Sequence, residues 1–208
     1  MRLVQTKDGS YTFYSNKYGE TYHSISGALE ESFKKYVEPC KIKDGDKILD
    51  ICFGLGYNSL AAIHSVKNLQ IIALENDSKI LNKIQKICMD NKLKEDFEKI
   101  KFAAKNLYYQ NEKIKIKILL GDARKNIKKI KERFDAVFLD PFSPLKCPEL
   151  WTKEFFIDIF KIMKIGGILA TYSCAKNIRK NLNEAGFEIH DGPCVGRKSP
   201  NTVAIKLN

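Results

Sequence analysis

The sequence predicts an α/β fold: a mostly parallel seven-stranded sheet with a C-terminal antiparallel pair, preceded by a small N-terminal β appendage. Three observations carry this expectation. Short apolar runs alternate with helix-patterned stretches from Lys47 to Ser173, the order that builds βαβ units. The first run, Lys47-Ile48-Leu49-Asp50-Ile51, passes at once through Cys52-Phe53-Gly54-Leu55-Gly56 into a helix, which is how a doubly wound sheet opens a ligand crevice at the carboxyl end of a strand. The last two runs, residues 187–190 and 202–207, are joined by Asp191-Gly192-Pro193 and residues 196–201 in hairpin fashion. A length of 208 residues supports one full core. The expected division is an appendage and helix over residues 1–40 and the α/β domain over 41–208.

Each element follows from local signals. Asp8-Gly9 supplies a turn between Leu3-Val4 and Tyr11-Thr12-Phe13-Tyr14, and Tyr18-Gly19-Glu20 suggests another. Ser26-Gly27-Ala28-Leu29-Glu30 opens a helix expected to run to about residue 38, where Pro39 stops it. Asp44-Gly45 turns the chain into the first core strand. After the glycine loop and its helix, Leu69-Gln70-Ile71-Ile72-Ala73-Leu74-Glu75 reads as a buried strand ending in an acid. Residues 78–89 read as a helix and 91–111 as a less regular helical stretch. Ile114 to Leu120 alternates lysine with isoleucine before running apolar, which suits a strand with one exposed face. Gly121-Asp122-Ala123 follows, then a basic helix over 124–133. Phe134-Asp135-Ala136-Val137-Phe138-Leu139 is the next strand and delivers Asp140-Pro141-Phe142-Ser143-Pro144 to the same sheet edge. A helix from Pro148 to about residue 163, a strand entered through Gly166-Gly167, and a helix closed by Gly186 precede the final pair.

Composition narrows the function. The chain carries 36 Lys+Arg against 25 Asp+Glu, a formal net charge of +11, and such a surface attracts polyanions, RNA or DNA foremost. A lysine-rich solvated exterior gives the same count. The six cysteines lie without a C-x-x-C pair or metal-ligand spacing, so no metal is expected. No apolar run approaches the roughly 18 residues of a membrane span. Met1-Arg2-Leu3-Val4-Gln5-Thr6-Lys7 has no signal-peptide core, and the expected location is cytoplasmic.

The glycine loop, Glu75, Asp122 and Asp140 fall on one sheet edge and describe a nucleoside-containing cofactor across the switch point. Glu75 can accept from ribose hydroxyls or simply cap the next turn. Asp122 can cap its helix or accept from an adenine amino group. The loop reads Gly54-x-Gly56-x-x-Ser59, without the third glycine of the dinucleotide fingerprint, which favours the amino-acid end of S-adenosylmethionine over a pyrophosphate.

The stretch Asp140-Pro141-Phe142-Ser143-Pro144-Leu145-Lys146-Cys147-Pro148-Glu149-Leu150-Trp151-Thr152 resembles the signature of MnmC-type methyltransferases. Tyr14-Ser15, Gly19-Glu20-Thr21-Tyr22-His23-Ser24, the glycine loop and Gly121-Asp122-Ala123-Arg124 resemble other blocks of that domain. Cys147 stands where the family usually has asparagine, and the family's flavin-dependent half has no counterpart in these residues. The resemblance implies a Rossmann-like fold and S-adenosyl-L-methionine as cofactor. It implies methylation of 5-aminomethyl-(2-thio)uridine at the tRNA wobble position, with the anticodon stem-loop held by the basic surface. Cofactor contacts are expected from Asp50, Phe53, Gly54, Gly56, Tyr57, Asn58, Glu75, Asn76, Gly121, Asp122, Ala123 and Asp140. Substrate contacts are expected from Tyr22, His23, Pro141, Phe142, Ser143, Lys146 and Trp151, with Asp140 and Phe142 at the chemistry. His23 suits a structural role equally, and Trp151 suits packing. The competing readings are a methyltransferase or aminopropyltransferase acting on a small molecule or protein, and a non-catalytic RNA-binding relative.

Overall fold

In a computed structural model, which describes residues 1–89 and 92–208, the chain forms two sheets. Strands β1 (Arg2–Gln5), β2 (Tyr11–Ser15) and β3 (Glu20–Thr21) make the antiparallel appendage. Asp8 closes its first turn by accepting from the Thr6 and Ser10 hydroxyls and the Ser10 N–H. The other oxygen of the same carboxylate accepts from the N–H groups of Leu29 and Glu30. It thereby satisfies donors that a helix start leaves unpaired. One side chain thus ties the hairpin to the helix behind it.

That helix differs from expectation. α1 (Ala28–Glu31) runs through a π-helical stretch, Ser32–Val37, into α2 (Glu38–Cys40), and Lys41 at φ 50° ends it. Pro39 does not stop the helix, because the turn before it has already widened and proline's missing N–H breaks no regular ladder.

The central sheet contains eight strands among the described residues, not seven, in the order β10-β11-β9-β8-β4-β5-β7-β6. β4 (Lys47–Ile51), β5 (Leu69–Glu75), β7 (Ile114–Leu120), β8 (Phe134–Leu139) and β9 (Met163–Thr171) run parallel. β10 (Glu188–Asp191) and β11 (Thr202–Ile205) add the antiparallel pair. The extra strand is β6 (Tyr108–Gln110), antiparallel to β7, within the segment expected to be helical. α5 (Lys94–Asn106) stops because Leu107 turns left-handed at φ 59°, and the two tyrosines after it prefer the pleated sheet edge. Residue 91, the expected start of that segment, lies outside the described residues. Gly166 and Gly167 sit within β9, beside a register shift against β8, rather than before it.

α3 (Tyr57–Ser65), α4 (Ser78–Ile84) and α5 pack with α1 and α2 on one face, where Ile48, Ile71, Ile116 and Phe138 point. α6 (Ala123–Asn126), α7 (Lys153–Ile162) and α8 (Lys176–Glu184) cover the other, with Leu49, Ile51, Val137 and Leu139. Neighbouring residues of one strand enter opposite cores, which is the period-two rule at work. The expected basic helix over 124–133 is one α turn and one 3-10 turn, and Ile130 at φ −79°, ψ 128° ends it. All six cysteines are free. Among the described residues no helix is long and apolar enough to cross a membrane, and no cluster could hold a metal ion.

Candidate active site

The carboxyl ends of β4, β5 and β8 open on a cavity of about 660 Å³ that the appendage roofs. Its floor on one side is the glycine loop. Gly54 and Gly56 adopt φ 55° and 76°, a region that favours glycine, and a Cβ on Gly56 would lie 2.6 Å from Ile100 and 2.8 Å from Phe53. Glu75 fixes this loop. Its Oε2 accepts the Gly54 N–H at 2.7 Å, and its Oε1 accepts the Asn76 and Asp77 N–H groups, each at 2.8 Å. Burial pushes the Glu75 carboxyl above the usual carboxylate range, and the three backbone donors oppose that push. Asp50 lies beneath the loop, fully buried, with its Oδ2 accepting the Ser59 hydroxyl at 2.6 Å and its Oδ1 unpartnered. Burial drives its pKa up to about 7.

Asp140 stands in the middle of the wall. Its N–H donates to the Ile51 carbonyl, which fixes the end of β8 against β4. Its Oδ1 accepts the Tyr36 hydroxyl at 2.6 Å, its Oδ2 accepts the Asn58 amide at 3.0 Å, and His23 Nδ1 lies 3.9 Å from Oδ2. Burial raises the Asp140 pKa, while the Tyr36 and Asn58 donors pull it down. The same burial holds His23 neutral, with its pKa lowered to about 4. His23 Nε2 and Asn58 Oδ1 are buried polar atoms without a partner among the described residues.

The loop after Asp140 is held from both sides. Phe142 stacks on Tyr18 with ring centroids 4.2 Å apart and meets the edge of Tyr22 at 4.9 Å. The Glu20 carboxylate accepts the Ser143 N–H at 3.1 Å and also its hydroxyl. From below, the Phe142 carbonyl accepts the Trp151 indole N–H at 2.9 Å and the Cys147 thiol at 2.9 Å. Cys147 therefore keeps a donor on the loop.

Several expected contacts line the cavity: Gly54, Glu75, Asn76, Asp140, Pro141, Phe142, Ser143, Tyr22 and His23. Others stand behind it. Phe53 and Tyr57 are core side chains, Trp151 is buried under the loop, and Lys146 Nζ lies over Gly19 at the rim. Gly121, Asp122 and Ala123 fall outside the cavity wall. Asp122 caps α6 through the Arg124 N–H and is paired with the Arg124 guanidinium, which holds its carboxyl below the usual range. Capping has taken the carboxylate that was expected to have a choice. Sequence reasoning missed Tyr36, Glu31, Lys35, Tyr172 and Arg197, all of which line the cavity. The cavity fits a nucleoside-bearing cofactor. Its volume is in the range of small-molecule sites, the loop backbone is open to close approach, and Glu75, which lines it, has one acceptor site beyond its three backbone bonds.

A model of an S-adenosyl-L-methionine-dependent methyltransferase family matches residues 83–207. An uncharacterized protein of Methanocaldococcus jannaschii is 37% identical over 98% of this chain and 59% of its own length. The tRNA 5-methylaminomethyl-2-thiouridine biosynthesis bifunctional protein MnmC of Cupriavidus metallidurans is 25% identical over 97% of this chain and 33% of its own length. The chain thus spans between a third and three-fifths of these curated relatives. The crystal structure of MnmC2 from Aquifex aeolicus superposes with a TM-score of 0.88 at 35% identity, covering 100% of this chain and 71% of that one.

Proposed function

Because this chain belongs to the S-adenosyl-L-methionine-dependent methyltransferase family, we propose that it methylates the amino group of 5-aminomethyl-(2-thio)uridine at the wobble position of tRNA. The observation that carries the proposal is Asp140. It is a carboxylate at the strand end, its side chain 13% exposed, braced by Tyr36 and Asn58 in a cavity shared with the glycine loop and Glu75. The relatives named for tRNA 5-methylaminomethyl-2-thiouridine biosynthesis and the excess of 36 Lys+Arg over 25 Asp+Glu support tRNA as the partner.

Gly54, Gly56, Glu75 and Asn76 would hold the cofactor, with Glu75 accepting from ribose hydroxyls. When bound, the cofactor would supply a sulfonium methyl open to in-line attack by a neutral amine, the C–N bond forming as the C–S bond breaks and the neutral thioether leaves. Asp140 accepts a hydrogen bond from the acceptor's amino group, aims its lone pair and takes up or relays its proton. A nearby carboxylate also favours the unreactive ammonium form. Burial of Asp140 works against that, because a desolvated carboxylate takes the proton more readily than an exposed one. His23, uncharged, adds no second positive charge to the site. Phe142, backed by Tyr18 and Tyr22, closes the cavity against water. Holding both reactants in line is the larger contribution.

The test is transfer from labelled S-adenosyl-L-methionine to tRNA of cells lacking this protein, followed by nucleoside mass spectrometry. One methyl gained on 5-aminomethyl-(2-thio)uridine is the expected result. Cofactor binding without labelling of tRNA would overturn the uridine reading and leave a methyltransferase with another acceptor.

A further inference from the structure

The cavity has a second wall, away from the glycine loop, built from the first helix and the loop over residues 195–197. Here Glu31 and Lys35 form an ion pair one helical turn apart, with side chains only 12% and 7% exposed. Burying such a pair costs desolvation that its mutual attraction does not reliably return. It is nevertheless assembled with care. Glu31 Oε2 accepts the Ser24 N–H, and its other oxygen accepts from Lys35 Nζ. The Lys35 carbonyl accepts the Asn201 amide at 3.0 Å, which fixes the backbone under the side chain. Gly196 comes so close that a Cβ there would lie 2.6 Å from Ser26 Oγ and 3.8 Å from Glu31 Oε1. Lys35 sits in the π-helical stretch that begins directly after Glu31, an irregularity common at functional sites. Lys35 has no acceptor besides Glu31 among the described residues, so two of its three donors remain for a ligand.

The order of groups along this wall matches the edge of a uracil. Tyr36, the residue after Lys35, bonds Asp140. The Lys35 charge also acts on the Asp140 carboxyl, and Lys35 in turn bonds Glu31, so contacts run from Asp140 through Lys35 to Glu31 along the cavity lining. On a 5-aminomethyluracil the amine is followed around the ring by the O4 carbonyl and then by N3–H. We propose that this pair reads the pyrimidine, with Lys35 donating to O4 and Glu31 accepting from N3–H, an inference that rests on the uridine reading above. Cytosine presents the reverse pattern, an amino donor and a bare N3, and would set donor against donor and lone pair against lone pair. The pair is thus a specificity device, and its desolvation cost is returned only by the correct base.

The experiment uses the whole chain and three anticodon stem-loop oligonucleotides. One carries 5-aminomethyluridine, one its 3-methyl analogue without N3–H, and one 5-aminomethylcytidine. Wild-type protein is expected to favour the first in kcat/KM by about 10- to 100-fold over each of the others, the range for hydrogen bonds to charged groups. Glu31→Leu is expected to lose that preference against the 3-methyl analogue, and Lys35→Met against the cytidine. Glu31→Gln combined with Lys35→Gln covers the case in which an apolar variant fails to fold. Two amides can pair with each other and turn either face to either base, so discrimination should fall to within about threefold. Variants that lose the same factor on all three oligonucleotides, with discrimination intact, would overturn the proposal and leave the pair a structural bond. Wild-type protein that binds cofactor yet methylates none of them would overturn the uridine reading, and the pair's assignment with it.

Discussion

The two walls of the cavity are built by opposite strategies. On the glycine-loop wall a carboxylate, Glu75, is held by three backbone N–H groups, from Gly54, Asn76 and Asp77, and keeps one acceptor site open. On the opposite wall polar side chains meet each other across the fold. Tyr36 bonds Asp140 over 104 positions, and Asn201 bonds the Lys35 carbonyl over 166. The first wall is fixed by those three backbone bonds. The second leaves donors and acceptors open, at Lys35 and His23. A cofactor common to a large family needs an invariable cradle, whereas an acceptor has to be distinguished from its neighbours. The division of labour follows from that difference.

The change expected to hurt most is at the junction of the walls. Asp140→Ala should lower the rate of methyl transfer by about 10²- to 10⁴-fold, the usual span for a lost general base. Cofactor affinity, measured by calorimetric titration, should stay within a few-fold, because the glycine-loop wall is untouched. Full turnover with unchanged cofactor affinity would erase the assigned role.

A second prediction probes the glycine-loop wall through its stability. The buried carboxyl of Asp50 titrates near pH 7, against an ordinary value of 3.8, so the folded state holds this proton more tightly than the unfolded chain. Its contribution to stability is full below about pH 4 and is lost as pH rises through 7, on the order of 4 kcal/mol in all. Thermal unfolding of Asp50→Asn compared with wild type between pH 4 and 8 should reveal a shallower decline in the variant. The slope is the quantity to read, because the amide's own N–H₂ would find no partner in place of the bare Oδ1. Parallel curves would mean that Asp50 is ionised in the fold.

The same contrast explains what could be read from the chain. The parallel strands, the glycine loop, Glu75 and the Asp140 loop were legible because each is a local pattern: an apolar run, a turn residue, an acid at a strand end. Tyr36, Glu31 and Lys35 were not. In a helix rich in lysine and glutamate, an i, i+4 pair reads as a solvated face, and only the roof laid by the appendage and the loop at 195–197 buries it. Asp122 was ambiguous until Arg124 claimed it. β6 escaped because three residues after a helix carry almost no periodicity, and the left-handed Leu107 is a backbone event that leucine does not announce.

Tyr36→Phe asks whether the bracing matters to the chemistry or only to packing. It removes one hydroxyl and leaves the ring against Phe138. The Tyr36 donor holds the Asp140 pKa down, so its loss should raise that pKa further. The acid limb of the rate profile should move to higher pH, with kcat down about tenfold at neutral pH and KM for cofactor unchanged. An unaltered pH profile would reduce Tyr36 to a packing residue.

The mildest test concerns the roof. Glu20 in the appendage accepts both the N–H and the hydroxyl of Ser143, and so couples a hairpin at the start of the chain to the loop carrying Asp140 and Phe142. Glu20→Gln keeps one acceptor oxygen and replaces the other with a donor. The remaining oxygen should keep the Ser143 N–H and the amide N–H₂ should donate to the Ser143 hydroxyl, so two charge-assisted bonds become neutral ones, a change of about 1 kcal/mol at a partly exposed site. The expected result is a three- to fivefold rise in KM for the proposed tRNA acceptor, with cofactor binding and melting temperature nearly constant. If cofactor binding fell instead, the roof would brace the glycine-loop wall as well, and the separation of the two walls would have to be redrawn around Tyr22, whose hydroxyl donates to Asp77 beside Glu75.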